Sequence, residues 1–133
     1  MKLDMYINYK GNCREAFLFY EQYLGGKITS IATFRQLPEN ANISEERKDE
    51  VMHAEIEIGG TVLMGADIPH AEPMRSAYLS LTLDSTEQAE KIYALLSDGG
   101  EIFMKMEETF FATRFGQLRD RFGVLWTVLH QKS

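Results

Sequence analysis

The sequence predicts an α+β fold built from two β-α-β-β-β modules within one domain. Strand-like and helix-like segments follow that order in the first half, and the order returns in the second half. A glycine pair ends the helix of each half, at Gly25-Gly26 and at Gly99-Gly100. A chain of 133 residues, 44% of them hydrophobic, can bury one core without disulfides or a structural metal.

The first module spans about residues 1–67. Its helix begins at Cys13, with Asn12 as the expected N-cap, because apolar residues then recur at helical spacing up to Leu24. In 51–58 the apolar residues Ala54, Ile56 and Ile58 alternate with polar ones, as in a strand with one buried face. The other predicted elements are strands over 5–9, 27–34 and 61–64 and an exposed loop over 36–49.

The second module spans about residues 76–133 and has the same order. Asp84 or Ser85 is the expected N-cap of its helix, and Asp98-Gly99-Gly100 ends that helix. Trp126 and Thr127 point to opposite faces of the last strand, so we expect Trp126 to pack under the helix. The predicted strands cover 77–83, 101–106, 111–119 and 124–130, with the last two forming a hairpin.

Charge and cysteine content exclude several classes of protein. The net charge is −6, the pI is about 5.1 and there is no run of Lys and Arg, so we expect neither a nucleic acid nor an anionic membrane as a partner. The chain lacks a signal-peptide pattern, a long apolar stretch and a Cys-x-x-Cys pair, and its one cysteine has no internal partner. These features predict a cytoplasmic protein in which Cys13 has a structural role.

Three blocks of residues resemble the PhnB-like family of the vicinal oxygen chelate superfamily, which includes glyoxalases, bleomycin resistance proteins and dioxygenases. The first block is Asn8 to Phe17, followed by Phe19-Tyr20 and Gly25-Gly26. The second includes Val51-Met52-His53-Ala54 and Leu63 to Asp67. The third is the most specific, and it joins Glu108 to Gly116 with Asp120 to Trp126.

The resemblance implies a fold in which each module curls its sheet into an open trough, with a cleft where superfamily enzymes hold a divalent metal. Aligned with that pattern, the four metal-ligand positions fall on Met5, Asp67, Tyr78 and Thr127. Only Asp67 is a good ligand for a hard metal, and one carboxylate does not make a site. We therefore predict no cofactor and no standard metal site, although a divalent metal at a different centre stays open.

Two residues are candidates for acid-base chemistry. His53 lies on the polar face of its strand near Glu55 and Glu57, so it is either a base in the cleft or a half-exposed histidine paired with a carboxylate. Glu108 precedes two phenylalanines and is either a desolvated acid with a raised pKa or a surface ion pair, for example with Arg114. The residues predicted to contact a ligand are Asn8, Asp67, Tyr78, Ser80, Phe110, Phe111, Arg114 and Thr127.

Three functions remain open at this stage. The leading hypothesis is a homodimer that binds a small molecule in the cleft without the standard metal. The second is an enzyme with an unusual metal or acid-base centre formed by His53, Asp67 and Glu108. The third is a resistance-type protein that sequesters an aromatic compound between Phe110 and Phe111, whose rings are otherwise expected in the core or an interface.

Overall fold

Two four-stranded mixed sheets, each with one helix, account for most of the structure. The computed structural model describes residues 1–133 and divides into two units, Met1–Glu72 and Pro73–Ser133. The α+β class and the two β-α-β-β-β modules predicted from the sequence are confirmed. No helix in the structure has the length and apolar character needed to cross a bilayer.

The first unit orders its sheet β1-β4-β3-β2. Strands β1 and β4 run parallel, and β3 is antiparallel to both of its neighbours. Three short 3-10 turns occupy the loop between β2 and β3. The elements are β1 (Met5–Tyr9), α1 (Cys13–Tyr23), β2 (Lys27–Thr33), β3 (Val51–Ile58) and β4 (Thr61–Asp67).

The second unit repeats this topology with the order β5-β8-β7-β6. Strands β5 and β8 are parallel, and the β6-β7 and β7-β8 pairs are antiparallel. The first strand is shorter than the sequence predicts, because only four residues form ladder pairs. The elements are β5 (Leu79–Thr82), α2 (Thr86–Ser97), β6 (Glu101–Glu107), β7 (Ala112–Arg119) and β8 (Leu125–Gln131).

Each helix packs on one face of its own sheet, and a glycine marks the contact. A Cβ atom on Gly65 of β4 would lie 2.9 Å from the Phe17 ring of α1. A Cβ atom on Gly116 of β7 would lie 2.7 Å from the Tyr93 ring of α2. Because glycine has no side chain, an aromatic ring of each helix packs directly against the backbone of its sheet. These contacts show which face of each sheet lies under a helix.

The two helices are capped by different means. In α2 the Ser85 hydroxyl accepts a hydrogen bond from the backbone N–H of Gln88 at 3.1 Å, as predicted for an N-cap. In α1 the N-cap is Asn12, as predicted, but its side chain makes no capping bond. The Asp67 carboxylate accepts from the backbone N–H of Cys13 instead, at 3.0 Å. The end of β4 therefore anchors the start of α1.

Candidate functional site

The face of the first sheet opposite α1, which we call the helix-free face, carries a group of polar side chains. Because Ile7, Gly65 and Ala54 are in register on the helix side, the alternating residues of β1, β4 and β3 point the other way. Several of these side chains are half-buried or exposed, so they remain accessible to solvent. The helix-free face includes Tyr6, Asn8, His53, Glu55, Glu57, Val62 and Met64.

His53 and Glu55 form a hydrogen-bonded pair on this face. The Nε2 atom of His53 lies 3.0 Å from Oε2 of Glu55, and the two side chains are 35% and 39% exposed. A carboxylate only accepts hydrogen bonds, so this contact places the proton of a neutral imidazole on Nε2. The Nδ1 atom of His53 is then left as an acceptor that can receive a proton or a hydrogen bond from a ligand.

An aromatic ring and a pocket flank this pair. The centroid of the Tyr6 ring lies 5.9 Å from that of His53, and Tyr6 is 48% exposed. Towards the other end of β3, a pocket of 390 Å³ is lined in part by Lys27, Glu57 and Val62. This volume is in the range of small-molecule sites. The helix-free face therefore combines a pocket, charged groups of both signs and an oriented histidine along one strand.

Asp67, predicted to contact a ligand, is instead occupied by the backbone of its own unit. It is 1% exposed, and its carboxylate accepts from the N–H groups of Gly11 at 3.1 Å, Cys13 at 3.0 Å and Val51 at 2.8 Å. It pairs with Tyr9 in register and so lies on the helix side of the sheet. The geometry gives Asp67 a structural role, and we exclude it from the proposed site.

The residues at the superfamily's metal-ligand positions do not fit a metal. Met5 is in register with Leu63 on the helix side of the first sheet, and both carboxylate oxygens of Asp67 are engaged by N–H groups. Tyr78 and Thr127 belong to the second unit and offer only hydroxyl groups. The structure contains no group of three or more His, Cys, Asp or Glu side chains arranged to hold a metal.

Of the ligand residues predicted in the second unit, Ser80 and Thr127 lie on the helix-free face of that sheet. Ser80 is in register with Thr127, and Ser80 is exposed. Thr127, however, is only 7% exposed, and its hydroxyl accepts from the side-chain amide of Gln117 at 3.1 Å. Tyr78 lies just before β5 and is half-buried. Thr127 is thus engaged within its sheet, whereas Ser80 remains accessible.

Glu108 is not a desolvated acid. Its side chain is 65% exposed and lies 2.8 Å from the Lys132 ammonium, which forms a hydrogen bond that lowers the pKa of the carboxyl. Arg114, the partner considered from the sequence, donates to Glu90 of α2 at 2.7 Å instead. Of the two alternatives for Glu108, the desolvated acid with a raised pKa is wrong, and a surface ion pair is present, with Lys132 rather than with Arg114. Arg114 is committed to an ion pair with α2.

Phe110 and Phe111 are exposed at the turn between β6 and β7, so neither belongs to the core. Phe110 is 91% exposed and Phe111 is 42% exposed, and their ring centroids are 5.1 Å apart. Phe111 also contacts Phe115, with centroids 5.5 Å apart. The three rings lie in a row along one hairpin. Of the roles predicted from the sequence, contact with a ligand and a place in an interface therefore remain.

Two polar groups of the second unit were not singled out from the sequence. His130 is half-buried, and its Nδ1 lies 2.7 Å from the Thr113 hydroxyl. Asp120 is 2% exposed and accepts from the backbone N–H groups of Phe122 and Val124 and from the Trp126 indole, each at 2.9 Å. The sequence Asp120-Arg121-Phe122-Gly123 is typical of a turn, so the position of the aspartate in a turn could be predicted. The hydrogen bond that it accepts from the indole forms only in the folded hairpin.

The duplicated β-α-β-β-β fold defines a protein of the vicinal oxygen chelate class. A family model for the glyoxalase/bleomycin resistance protein/dioxygenase superfamily matches residues 2–128, and the chain belongs to that superfamily, with PhnB-like relatives. It is 31% identical to protein YjdN of Escherichia coli K12, over 96% of this chain and 94% of that protein.

Two solved structures share its architecture over nearly the whole length. Protein PA1353 from Pseudomonas aeruginosa is 36% identical, with a TM-score of 0.87 covering 100% of this chain and 99% of that one. The PhnB protein from Bacillus cereus is 24% identical, with a TM-score of 0.82 covering 98% of this chain and 99% of that one, which shows a common fold.

Proposed function

We propose that this protein binds a small polar organic molecule on the helix-free face of its first sheet, between the pocket and His53. The observation that carries the proposal is the His53–Glu55 pair, whose Nε2–Oε2 distance of 3.0 Å orients the imidazole on an accessible surface. The proposal keeps Asn8 from the ligand set predicted from the sequence, adds the acid-base candidate His53 on the same face, and leaves out Asp67. It keeps the prediction that binding does not use the standard metal.

The contrast with the buried aspartates supports this assignment. Asp67 and Asp120 are each at most 2% exposed and accept backbone N–H groups, so their positions are explained by folding. His53 and Glu55 contact each other on a half-exposed strand face. Oriented polar groups on an accessible face beside a pocket are typical of a binding site.

The same pair supports proton transfer as a second candidate function. With its proton held at Nε2 by Glu55, His53 presents Nδ1 as a base, and Glu55 acts by positioning the ring. A substrate with an acidic C–H or O–H placed within about 3 Å of Nδ1 can lose a proton to the imidazole. Glu108 has no part in this candidate, because it is exposed and paired with Lys132.

A thermal-shift screen of polar metabolites tests the binding proposal. Compounds that raise the melting temperature of the wild-type chain are re-measured on His53→Gln and on His70→Gln, a matched change at an exposed histidine outside the site. We expect the shift to disappear in His53→Gln and to persist in His70→Gln. A screen without a single shift, or hits that bind both variants equally, contradicts the proposal.

Catalysis and binding are separated by the Glu55→Met variant. This change removes both carboxylate oxygens, and with them the acceptor that fixes the tautomer, but keeps about the length of the side chain. If the site only binds, a hit still raises the melting temperature of the variant, and its affinity changes by less than about 10-fold. If His53 is a base, solvent-hydrogen exchange into a bound hit, followed by NMR, slows by about 100-fold or more. Hits that exchange no hydrogen in the wild-type protein contradict the catalytic candidate.

Cytoplasmic location and a homodimeric state are also proposals. Cys13 is the only cysteine, it is fully buried, and burial raises the pKa of its thiol to about 12, so a reducing compartment is compatible with the chain. The homodimer is proposed on the resemblance to the family alone.

A further inference from the structure

The pocket on the helix-free face carries one basic and one acidic side chain. Lys27 of β2 and Glu57 of β3 both line it, and they are in register across the antiparallel pair. Residues that face each other in such a pair have Cβ atoms about 5 Å apart on the same side of the sheet. Both side chains are exposed, and no ion pair of the first unit involves either of them. The pocket therefore offers an ammonium and a carboxylate side by side.

The turn beside these charges leaves its backbone uncovered. Gly59 and Gly60 connect β3 to β4 and line the same pocket, with φ angles of 55° and 82°. A Cβ atom on either residue would meet no heavy atom beyond its chain neighbours within 4 Å. The ladder ends at the pair of Ile58 and Thr61, so the N–H groups of the turn lie outside it. A ligand can therefore approach backbone N–H groups as well as the Lys27 ammonium, and both kinds of donor favour a carboxylate.

An apolar surface runs from the pocket along the neighbouring strand. Val62 of β4 lines the pocket and is in register with Glu57, and Met64 is in register with Glu55. Both apolar side chains are half-buried, and they follow each other on the helix-free face because they are two residues apart. The strand advances roughly 7 Å over two residues, so Glu55 lies about that far from Glu57. An alkyl chain can lie along this distance in contact with Val62 and Met64.

The far end of this surface presents hydrogen-bond acceptors. The Oε2 atom of Glu55 contacts Nε2 of His53 at 3.0 Å, which leaves Oε1 of Glu55 and Nδ1 of the neutral imidazole as acceptors. A ligand group bound here must therefore bring the donor. Glu55 and Glu57 against Lys27 also leave one negative charge in excess on this part of the face, so a cationic donor is favoured over a neutral one.

We propose that the site takes an α-amino acid with a cationic side chain, an inference that rests on the proposed function. The α-carboxylate of the ligand lies against Lys27 and the glycine turn, and its α-ammonium lies against Glu57. The four-carbon stem of a lysine-like side chain spans about 6 Å, which is close to the distance of roughly 7 Å from Glu57 to Glu55. Its cationic end therefore reaches Glu55 and His53, while the stem covers the apolar surface.

Isothermal titration calorimetry on the full chain tests the ligand class. We expect L-lysine to bind with a dissociation constant of about 1 mM or lower. L-norleucine has the same stem without the cationic end, and cadaverine has both amines without the carboxylate. Each should bind more weakly by about 5-fold or more, because each lacks one of the proposed charge contacts on a half-exposed face. Equal affinities for the three compounds overturn the proposal.

Substitutions test each contact separately. Lys27→Met and Glu57→Met should weaken the binding of L-lysine by about 5-fold or more, whereas the exposed controls Lys91→Met and Glu46→Met should leave its affinity unchanged. Glu55→Met should lower the affinity for L-lysine to that for L-norleucine, and should leave the affinity for L-norleucine unchanged. Urea unfolding verifies that every variant is folded. Equal weakening by the controls, or an unchanged affinity in Lys27→Met, contradicts the proposed contacts.

The outcomes separate this ligand class from the binding function on which it rests. If neither L-lysine nor L-arginine binds, but another polar compound gives a thermal shift that depends on His53, the ligand class is wrong and the binding site stands. If no compound binds at all, both are wrong.

Discussion

Replacing Asp67 by alanine should destabilise the first unit more than any surface change. The N–H groups of Cys13 and Val51 both donate to this carboxylate within the interior, and that of Gly11 donates at its margin. Each buried donor left without a partner costs about 1–3 kcal/mol, so we expect a loss of roughly 3–5 kcal/mol. With an m-value of about 2 kcal/mol/M, the urea midpoint falls by roughly 2 M.

Asp67→Asn should lie between the wild type and Asp67→Ala. An amide keeps one oxygen, which can still accept at the Oδ1 position used by Gly11 and Cys13. Its NH₂ group would then face the N–H of Val51, where two donors oppose each other. We therefore expect a loss of about 1–3 kcal/mol for the amide variant.

Urea unfolding followed by far-UV circular dichroism measures these differences. Asp98→Ala, at an exposed aspartate, is the matched control and should stay within about 0.5 kcal/mol of the wild type. Hydrogen exchange should also accelerate at the amides of Cys13 and Val51 in Asp67→Ala. If the free energy of unfolding of Asp67→Ala is within about 1 kcal/mol of that of the control, and hydrogen exchange is unchanged, the carboxylate does not hold the starts of α1 and β3 in place.

Two further predictions concern buried groups. Asp120→Asn should destabilise the second unit by about 1–3 kcal/mol and shift the fluorescence emission of Trp126, the single tryptophan, to the red. An unshifted spectrum would show that the hydrogen bond from the indole to Asp120 does not hold Trp126 in place. Burial raises the Cys13 pKa from 9.0 to about 12, so the native thiol should resist a disulfide reagent at pH 8 and react once unfolded. Between pH 9 and about pH 12 the thiol of the unfolded chain ionises while the buried thiol stays protonated. The contribution of Cys13 to the free energy of unfolding is therefore constant below pH 9 and falls by about 1.4 kcal/mol per pH unit as the pH rises towards 12. The Cys13→Ala variant should lack this loss, and equal alkaline slopes in both proteins would contradict it.

The order of strands and helices could be predicted because it depends on local patterns. The alternation in β3 and the glycine pair after α1 are properties of short segments, and the structure places both elements within a residue or two of the prediction. The His53–Glu55 pair was also within reach of the sequence, since residues i and i+2 of a strand share a face.

Contacts between distant residues were beyond the sequence. Asp67 meets the N–H of Cys13 across 54 positions, so no spacing rule shows that its carboxylate is occupied. Glu108 pairs with Lys132 because the β8 strand returns the end of the chain to the turn after β6. The two aromatic residues that follow Glu108 suggested desolvation, yet the turn directs Phe110 into solvent, where its ring is 91% exposed.

The duplicated topology does not give two equivalent sites, because the helix-free faces of the two sheets differ. In the first sheet that face carries His53 and Glu55 at half-exposed positions of β3. In the second, Leu125 and Leu129 share the face with Thr127 on β8 and are 1% and 6% exposed. A buried apolar face stabilises the fold, whereas half-exposed charged groups gain little from folding. Ligand binding therefore explains the polar residues on the helix-free face of the first sheet better than folding stability does. Substitutions of those residues should weaken ligand binding with little effect on stability.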